Sequence, residues 1–167
     1  MALLEPLSFE CTSNSDDQTH RLGMRLGGLL PKHAVIALHG PMGAGKTTFA
    51  RGLGAGWGAD QLLRSPTFTL VQLHHRPQDG ATLYHIDLYR AETETDLASL
   101  GLSEILDDTS AVSIIEWPEH AQDHLPKATI HVKLAKTADT KRQFTFSTQD
   151  SEPWQVLLKF RKNAFGV

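Results

Sequence analysis

The residues from Gly40 to Thr47 have the types and the spacing of a phosphate-binding loop. They read GPMGAGKT, which matches the pattern G-x4-G-K-S/T at every fixed position. Glycines let backbone N–H groups approach polyphosphate oxygens closely, and Lys46 would place its charge on the β- and γ-phosphates. The Thr47 hydroxyl would ligate Mg²⁺, and a helix that begins here would add its positive end. The predicted nucleotide-binding residues of this loop are Gly40, Pro41, Met42, Gly43, Ala44, Gly45, Lys46, Thr47 and Thr48.

Two carboxylates are candidates for completing a hydrolytic site. Hydrolysis needs a carboxylate at the end of a neighbouring strand to hold Mg²⁺ or its water. Glu116 and Asp87 both stand near the ends of apolar runs, at 112–117 and 83–88. A charged side chain is costly inside a buried strand, so a terminal position that faces a metal suits it. The alternative is a carboxylate at the rim of the protein that pairs with an arginine, such as Arg90 for Asp87. The residues alone leave both interpretations open.

A segment rich in hydroxyl groups follows the predicted phosphate-binding helix. Ser65, Thr67 and Thr69 surround Pro66 where a strand is expected to begin. In P-loop proteins such a segment often senses the γ-phosphate, which would make these residues a switch. An ordinary transition from loop to strand is the alternative, and the residues alone slightly favour it. Trp117, beside Glu116, is a candidate for shaping the nucleotide pocket.

The nine histidines do not favour a zinc site. His74 and His75 are adjacent, so in a strand their side chains would point to opposite faces. His120 and His124 are four residues apart, but the helix that would carry them is short. With one cysteine, Cys11, and no H-E-x-x-H motif, we expect no zinc.

Length and charge exclude several classes of protein. A chain of 167 residues is expected to form one domain, here 1–167. The net charge of −3 excludes a globally basic nucleic-acid binder, although the last helix carries Lys159, Arg161 and Lys162. A solvated helix face is the more common explanation of such a cluster. No apolar run is long enough to span a membrane, the start does not resemble a secretory signal, and one cysteine suits a reducing cytosol. We expect a cytoplasmic protein.

The hydrophobic pattern predicts the elements that would position these residues. The continuous apolar run 34–38 indicates a strand buried on both faces, as in a mostly parallel sheet. The helix after the loop is expected to end around Gly54, Gly56 and Gly58. Further strands are predicted at 7–11, 67–73, 82–88, 112–117, 129–134 and 143–147, with helices at about 16–30, 92–100 and 154–162. Asp79-Gly80 indicates a turn between two strands. Together these elements predict an α/β fold with a mixed sheet.

Five strings in one order resemble the bacterial TsaE family, also called YjeE. They are GPMGAGKTTF (40–49), RSPTFTLV (64–71), YHIDLYR (84–90), LGLSEIL (100–106) and IIEWPEHA (114–121). The resemblance covers roughly residues 8 to 135, and the last thirty residues add little to it. It implies a P-loop NTPase-like fold, with a central mixed and largely parallel sheet flanked by helices. It also implies an ATPase of tRNA threonylcarbamoyladenosine biosynthesis. Such proteins act with the partners TsaD and TsaB, which modify the adenosine beside the anticodon, and their ATP hydrolysis supports turnover of that complex.

The resemblance also implies roles for individual residues. By position, Lys46 contacts phosphate and is catalytic, while Thr47 and Glu116 hold Mg²⁺. Asp87, in the DLYR string, is needed for hydrolysis, as is Glu116. The implied ligands are therefore ATP and Mg²⁺, and tRNA is reached indirectly through the partner proteins.

The same resemblance places three further features and reveals one departure. Ser65 and Thr69 fall in the switch-like segment, and Thr12 would lie near the base. Trp117 matches the family string, which implies a role at the nucleotide site or at the partner interface. Pro41 stands where the family pattern has an Asp. Because this residue is on the outer side of the loop, we expect nucleotide binding to survive the loss of an N–H group. A contact with water or with a partner that the acid would make is in doubt.

Other functions remain as alternatives. A small P-loop kinase would need an acceptor pocket and a lid with several arginines, whereas the arginines here are scattered singly. A GTP-operated switch would need N-K-x-D and D-x-x-G, and neither occurs. A binding module whose nucleotide is structural is the last alternative, and the set Lys46, Thr47, Asp87 and Glu116 speaks against it.

Overall fold

The computed structural model describes residues 7–65 and 70–167. Its β-strands are Leu7–Ser13 (β1), Val35–His39 (β2), Val71–His75 (β3), Thr82–Asp87 (β4), Ala111–Glu116 (β5), Ile130–Lys136 (β6) and Arg142–Thr148 (β7). Its α-helices are Asp16–Gly27 (α1), Lys46–Trp57 (α2), Glu94–Leu100 (α3), Leu102–Asp107 (α4) and Ser151–Phe165 (α5), and Pro118–His124 forms a 3₁₀ segment. No helix in these two ranges is long and apolar enough to cross a membrane.

The strands form one seven-stranded sheet in the order β1-β7-β6-β2-β5-β4-β3. The central strands β6, β2, β5 and β4 are parallel to one another. The outer pairs β6–β7, β7–β1 and β4–β3 are antiparallel, so β1 runs in the same direction as the central strands. The predicted α/β fold, with a mixed and largely parallel sheet flanked by helices, is confirmed.

Hydrophobic side chains cover both faces of the sheet. Along β2, Ile36 and Leu38 pack into a cluster with α1, α2 and α5, whereas Val35 packs into a second cluster with α3 and α4. Because a strand places successive side chains on opposite faces, a strand between two layers of helices must be apolar along its whole length. This explains the continuous apolar run and brings the end of β2 to the middle of the sheet.

The predicted end of α2 is confirmed at Gly58, which ends the helix in the left-handed conformation. Gly54 and Gly56 do not end it, because α2 continues to Trp57. The glycines inside α2 serve a different purpose: a Cβ at Gly52 would overlap the carbonyl oxygen of His20 in α1. The backbones of α1 and α2 are therefore in direct contact. The helix α4 was not predicted.

The strand β1 and the terminal helix α5 are longer than predicted. β1 continues to Ser13, so that Thr12 pairs with Gln143 in the sheet. α5 begins at Ser151 because Asp150 caps it. A strand was predicted at 67–73. Its residues 67–69 lie outside the described residues, and β3 begins at Val71. The turn expected at Asp79-Gly80 lies between β3 and β4, and Gly80 has a positive φ of 71°.

Candidate functional site

The phosphate-binding loop connects β2 to α2 and wraps around the start of that helix. Gly40, Gly43 and Gly45 have φ angles of 151°, 82° and 103°, which side chains with a Cβ rarely adopt. Gly45 precedes the first helical residue, and among the described residues no side chain caps α2. Its first N–H groups are therefore available to an anion. Pro41 is exposed, and its carbonyl oxygen accepts a hydrogen bond from the N–H of Ala44 at 3.1 Å.

A cavity of about 510 Å³ opens over this loop. Of the residues predicted for the site, those that line it are Met42, Gly43, Gly45, Lys46, Thr47, Thr48, Ser65, Asp87, Glu116 and Trp117. Gly40, Pro41 and Ala44 belong to the loop but do not line the cavity. Thr12 is exposed in β1 and does not line it either, whereas Asp16, in the first turn of α1, does. The predicted switch residues Thr67 and Thr69 lie outside the described residues.

The two carboxylates lie next to each other at the carboxyl ends of two neighbouring strands. Asp87 and Glu116 are register partners in the parallel pair β4–β5, each at the last position of its strand. Glu116 is buried, with 2% of its surface exposed. Asp87 accepts a hydrogen bond from the N–H of Tyr89 at 2.9 Å, and its Oδ2 lies 3.5 Å from Oγ of Ser65. In the described part of the chain Asp87 forms no ion pair with Arg90, the rim pairing considered as an alternative.

Crowding of charge affects Asp87. Burial raises the pKa of its carboxyl above the usual value, and the nearby charge of Glu116 raises it further. The hydrogen bond from Tyr89 acts in the opposite direction. A cation at this edge would relieve the repulsion between the two carboxylates.

The side chain of Lys46 contacts both the loop backbone and the aromatic ring of Trp117. Its Nζ donates a hydrogen bond to the carbonyl oxygen of Gly40 and lies 3.6 Å from the centroid of the Trp117 ring. Burial lowers the pKa of Lys46, while the carboxylates of Glu116, Glu119 and Asp87 oppose that shift. The ammonium group is thus hydrogen-bonded to a loop carbonyl, covered by a ring face and influenced by three carboxylates.

Trp117 adopts an unusual backbone conformation. Its φ of 58° is positive, which no other non-glycine residue of the described chain shows. Such strain is characteristic of functional sites, where the surrounding structure imposes it. Here it turns the chain directly after Glu116, so that the indole packs 4.9 Å from the ring of Tyr89 and covers Lys46.

His85 was missed in the sequence, where only histidines with metal-ligand spacing were considered. It lies in β4, is fully buried, and its Nε2 is 2.8 Å from Oε2 of Glu116. Its Nδ1 and the Nε2 of His74, in the neighbouring strand β3, have no hydrogen-bond partner among the described residues. The only available signal was its position in the YHIDLYR string, two residues before Asp87. Because side chains alternate along a strand, this spacing places both residues on the same face. Nothing in the sequence pointed to Glu116 as its partner.

Arg142 was missed as well. It is the first residue of β7, in the final part of the chain that contributes little to the family resemblance, and it lines the cavity beside Gly45. A single arginine directly before a predicted strand carries no sequence signal for a nucleotide site.

The sequence was compared with known protein families. Residues 13–144 match the family model described as "Threonylcarbamoyl adenosine biosynthesis protein TsaE". The chain belongs to the TsaE family. The resemblance carried by the five sequence strings is thereby confirmed.

Individual TsaE relatives support this membership. The "tRNA threonylcarbamoyladenosine biosynthesis protein TsaE" of Treponema pallidum is 38% identical over 135 residues, which cover 81% of this chain and 97% of the relative. The protein of the same name from Bacillus subtilis is 36% identical over 114 residues and 68% of each chain. A crystal structure of YdiB from Bacillus subtilis superposes with a TM-score of 0.77 over 95% of this chain and 97% of that chain, at 24% identity. This last similarity concerns the fold.

Proposed function

We propose that this TsaE-family chain is the ATPase component of tRNA threonylcarbamoyladenosine biosynthesis. It would bind and hydrolyse Mg-ATP in a complex with TsaB and TsaD, which modify the adenosine next to the anticodon. The observation that carries the proposal is the convergence of Lys46, Thr47, Asp87 and Glu116 on one cavity at the ends of the central strands. We propose further that residues 1–167 are a single ATPase domain and that it works in the cytoplasm, where tRNA is modified.

The residues at the cavity fit a Mg²⁺ ion bound together with a nucleotide. Glu116 and Thr47 offer a carboxylate and a hydroxyl, and both line the cavity. Among the described residues no group of three or more histidine, cysteine or acidic side chains is placed to hold a metal. That is the arrangement expected of Mg²⁺, which binds to one or two protein ligands and takes the rest from phosphates and water. When bound, Mg²⁺ would screen the charge on the β- and γ-phosphates.

The side chains have separate tasks in this proposal. Lys46 exchanges its hydrogen bond to the Gly40 carbonyl for contacts with the β- and γ-phosphate oxygens. Burial makes its ammonium group poorly solvated, so a phosphate is a better partner than water. Asp87, whose pKa is raised, lies beside Glu116. Its carboxylate accepts a proton from an attacking water or orients that water by a hydrogen bond.

The surroundings of Asp87 support the proposed dependence on partner proteins. Among the described residues, its carboxylate accepts a hydrogen bond from the Tyr89 N–H and lies 3.5 Å from the Ser65 hydroxyl, and both Tyr89 and Ser65 are exposed. A water held only on this open side would be poorly oriented, so hydrolysis by the chain alone is expected to be slow. A protein that covers this side would exclude solvent and complete the site. With a net charge of −3, the chain is expected to reach tRNA through its partners.

The test is Mg²⁺-dependent ATP hydrolysis by the purified chain, measured with and without the TsaB–TsaD pair. We expect little turnover alone and a clear increase with the pair. Lys46→Ala should abolish the increase, because the phosphate loses its cation. Lys32→Ala, which removes an exposed lysine outside the cavity, should retain it.

Two results would reject the proposal. One is turnover that the pair does not change, and the other is phosphate transferred to a small acceptor instead of to water. The second result would favour the kinase interpretation.

A further inference from the structure

Arg142 is a buried cation that has no anionic partner among the described residues. It is 8% exposed, and it forms no ion pair with any acid of the described chain. Its Nη1 donates to three carbonyl oxygens of the preceding turn, those of Ala138, Asp139 and Lys141, at 3.1 to 3.3 Å. Its Nε is buried and has no acceptor among the described residues. An unpaired buried charge is unfavourable, so this guanidinium is suited to a ligand that brings an anion.

Arg142 lines the cavity at the start of α2, together with Lys46 and Thr48. Its side chain lies against Gly45 of the phosphate-binding loop. A Cβ at Gly45 would lie 3.5 Å from its Nε, in ordinary contact. The unpartnered N–H group and the uncapped N-terminus of α2 therefore border the same space.

The order of strands defines which part of a nucleotide this space would hold. β2, which leads into the loop, has β5 on one side and β6 followed by β7 on the other. Glu116 and Asp87 lie on the β5 side, and Arg142 lies on the β7 side, opposite Lys136 at the end of β6. Adjacent strands are about 4.8 Å apart, so β7 is roughly 10 Å from β2. If the γ-phosphate and Mg²⁺ are next to Glu116, the phosphate nearest the ribose points towards β7.

We propose that Arg142 binds the α-phosphate of the nucleotide through its Nε side. The proposal rests on the proposed function, because it takes the polyphosphate to lie along the loop with its γ end at Glu116. A guanidinium recognises a phosphate by directed, charge-assisted hydrogen bonds, which the buried N–H group is free to make. Arg142 thereby adds a determinant of affinity that does not depend on the γ-phosphate, in a part of the chain far from the loop in sequence.

The experiment is equilibrium binding by the chain without partner proteins. A fluorescent ADP analogue is displaced by ADP and, separately, by inorganic tripolyphosphate, which has phosphates but no nucleoside. The variants are Arg142→Gln, which removes the charge, and Arg142→Lys, which retains it without the guanidinium. Lys136→Gln is the matched control, since it removes a half-exposed cation from the register partner of Arg142, outside the cavity. Thermal melting of each variant defines a temperature at which it is folded.

We expect Arg142→Gln to weaken the binding of both competitors by about tenfold to a hundredfold, the effect of one charge-assisted hydrogen bond. Arg142→Lys should lose less affinity, and Lys136→Gln should change the affinity for either competitor by less than about twofold. If Arg142→Gln does not fold, a parallel weakening of both competitors by Arg142→Lys is the supporting result.

The other outcomes overturn the assignment. If Arg142→Gln weakens the binding of ADP but not that of tripolyphosphate, Arg142 contacts the ribose or the base. If neither weakens while Lys46→Ala abolishes binding, Arg142 only ties the turn at 138–141, and the proposed function stands without it. If the wild-type chain binds neither competitor, the nucleotide site fails and this proposal fails with it.

Discussion

The substitution Gly52→Ala tests whether the contact between α1 and α2 positions the phosphate-binding loop. A Cβ at Gly52 would overlap the carbonyl oxygen of His20 and would lie 3.0 Å from both the Cα of Gly23 and the N of Met24. All three neighbours are backbone atoms, so no side chain can rotate away. The helices must move apart, and α2 carries Lys46 and Thr47 in its first turn.

The expected cost is the difference between two opposing effects. Alanine is favoured over glycine inside a helix by about 1 kcal/mol. Overpacking of a well-packed interface costs about 1 to 3 kcal/mol, and a clash with backbone belongs at the upper end. The net destabilisation is therefore about 2 kcal/mol. For a chain of this size that corresponds to a fall of about 4 to 8 °C in melting temperature.

Urea unfolding followed by circular dichroism measures the effect. Gly28→Ala is the matched control: its φ is −68°, and its nearest neighbour to a new Cβ is 3.6 Å away, so we expect a change of less than about 0.5 kcal/mol. We also expect weaker ADP binding in Gly52→Ala alone, since only that change displaces α2. A Gly52→Ala protein as stable as the wild type would refute the argument that the two backbones are in contact.

Two further predictions concern buried groups. His85→Ala leaves the buried Glu116 carboxylate without its donor, so unfolding should require about 1.5 to 3 kcal/mol less free energy, and half-saturation of Mg²⁺-dependent ADP binding should need more Mg²⁺. His33→Ala, at an exposed site, is the control, and an unchanged Mg²⁺ requirement in His85→Ala would contradict a positioning role. Burial raises the pKa of the Cys11 thiol to about 12, so at pH 8 the thiolate is scarcer in the native chain than in the unfolded chain by about a thousandfold. Reaction with a disulfide reagent should be correspondingly slow until denaturant is added, and fast labelling of the native chain would show the thiol to be accessible.

Much of the fold was predictable because its signals are local. The apolar run of β2 reports burial on both faces, and the loop and the start of α2 follow it directly in the chain. The role of the glycines inside α2 was not predictable, because it depends on a residue distant in sequence. The glycines of α2 indicate a helix end by their composition, yet Gly52 is required by the carbonyl oxygen of His20, which belongs to another helix.

The phosphate-binding loop, the TsaE family and the α/β class could all be predicted from the sequence. Loop geometry depends on glycines and a lysine that lie close together in the chain, so a linear pattern is sufficient to specify it. The identity of the other side chains around the loop depends instead on how distant strands pack. His85 meets Glu116 because β4 and β5 are neighbours in register, and Arg142 reaches Gly45 because β7 lies two strands from β2. Strand order and register are properties of the whole packed chain, and for this reason no local motif contains them.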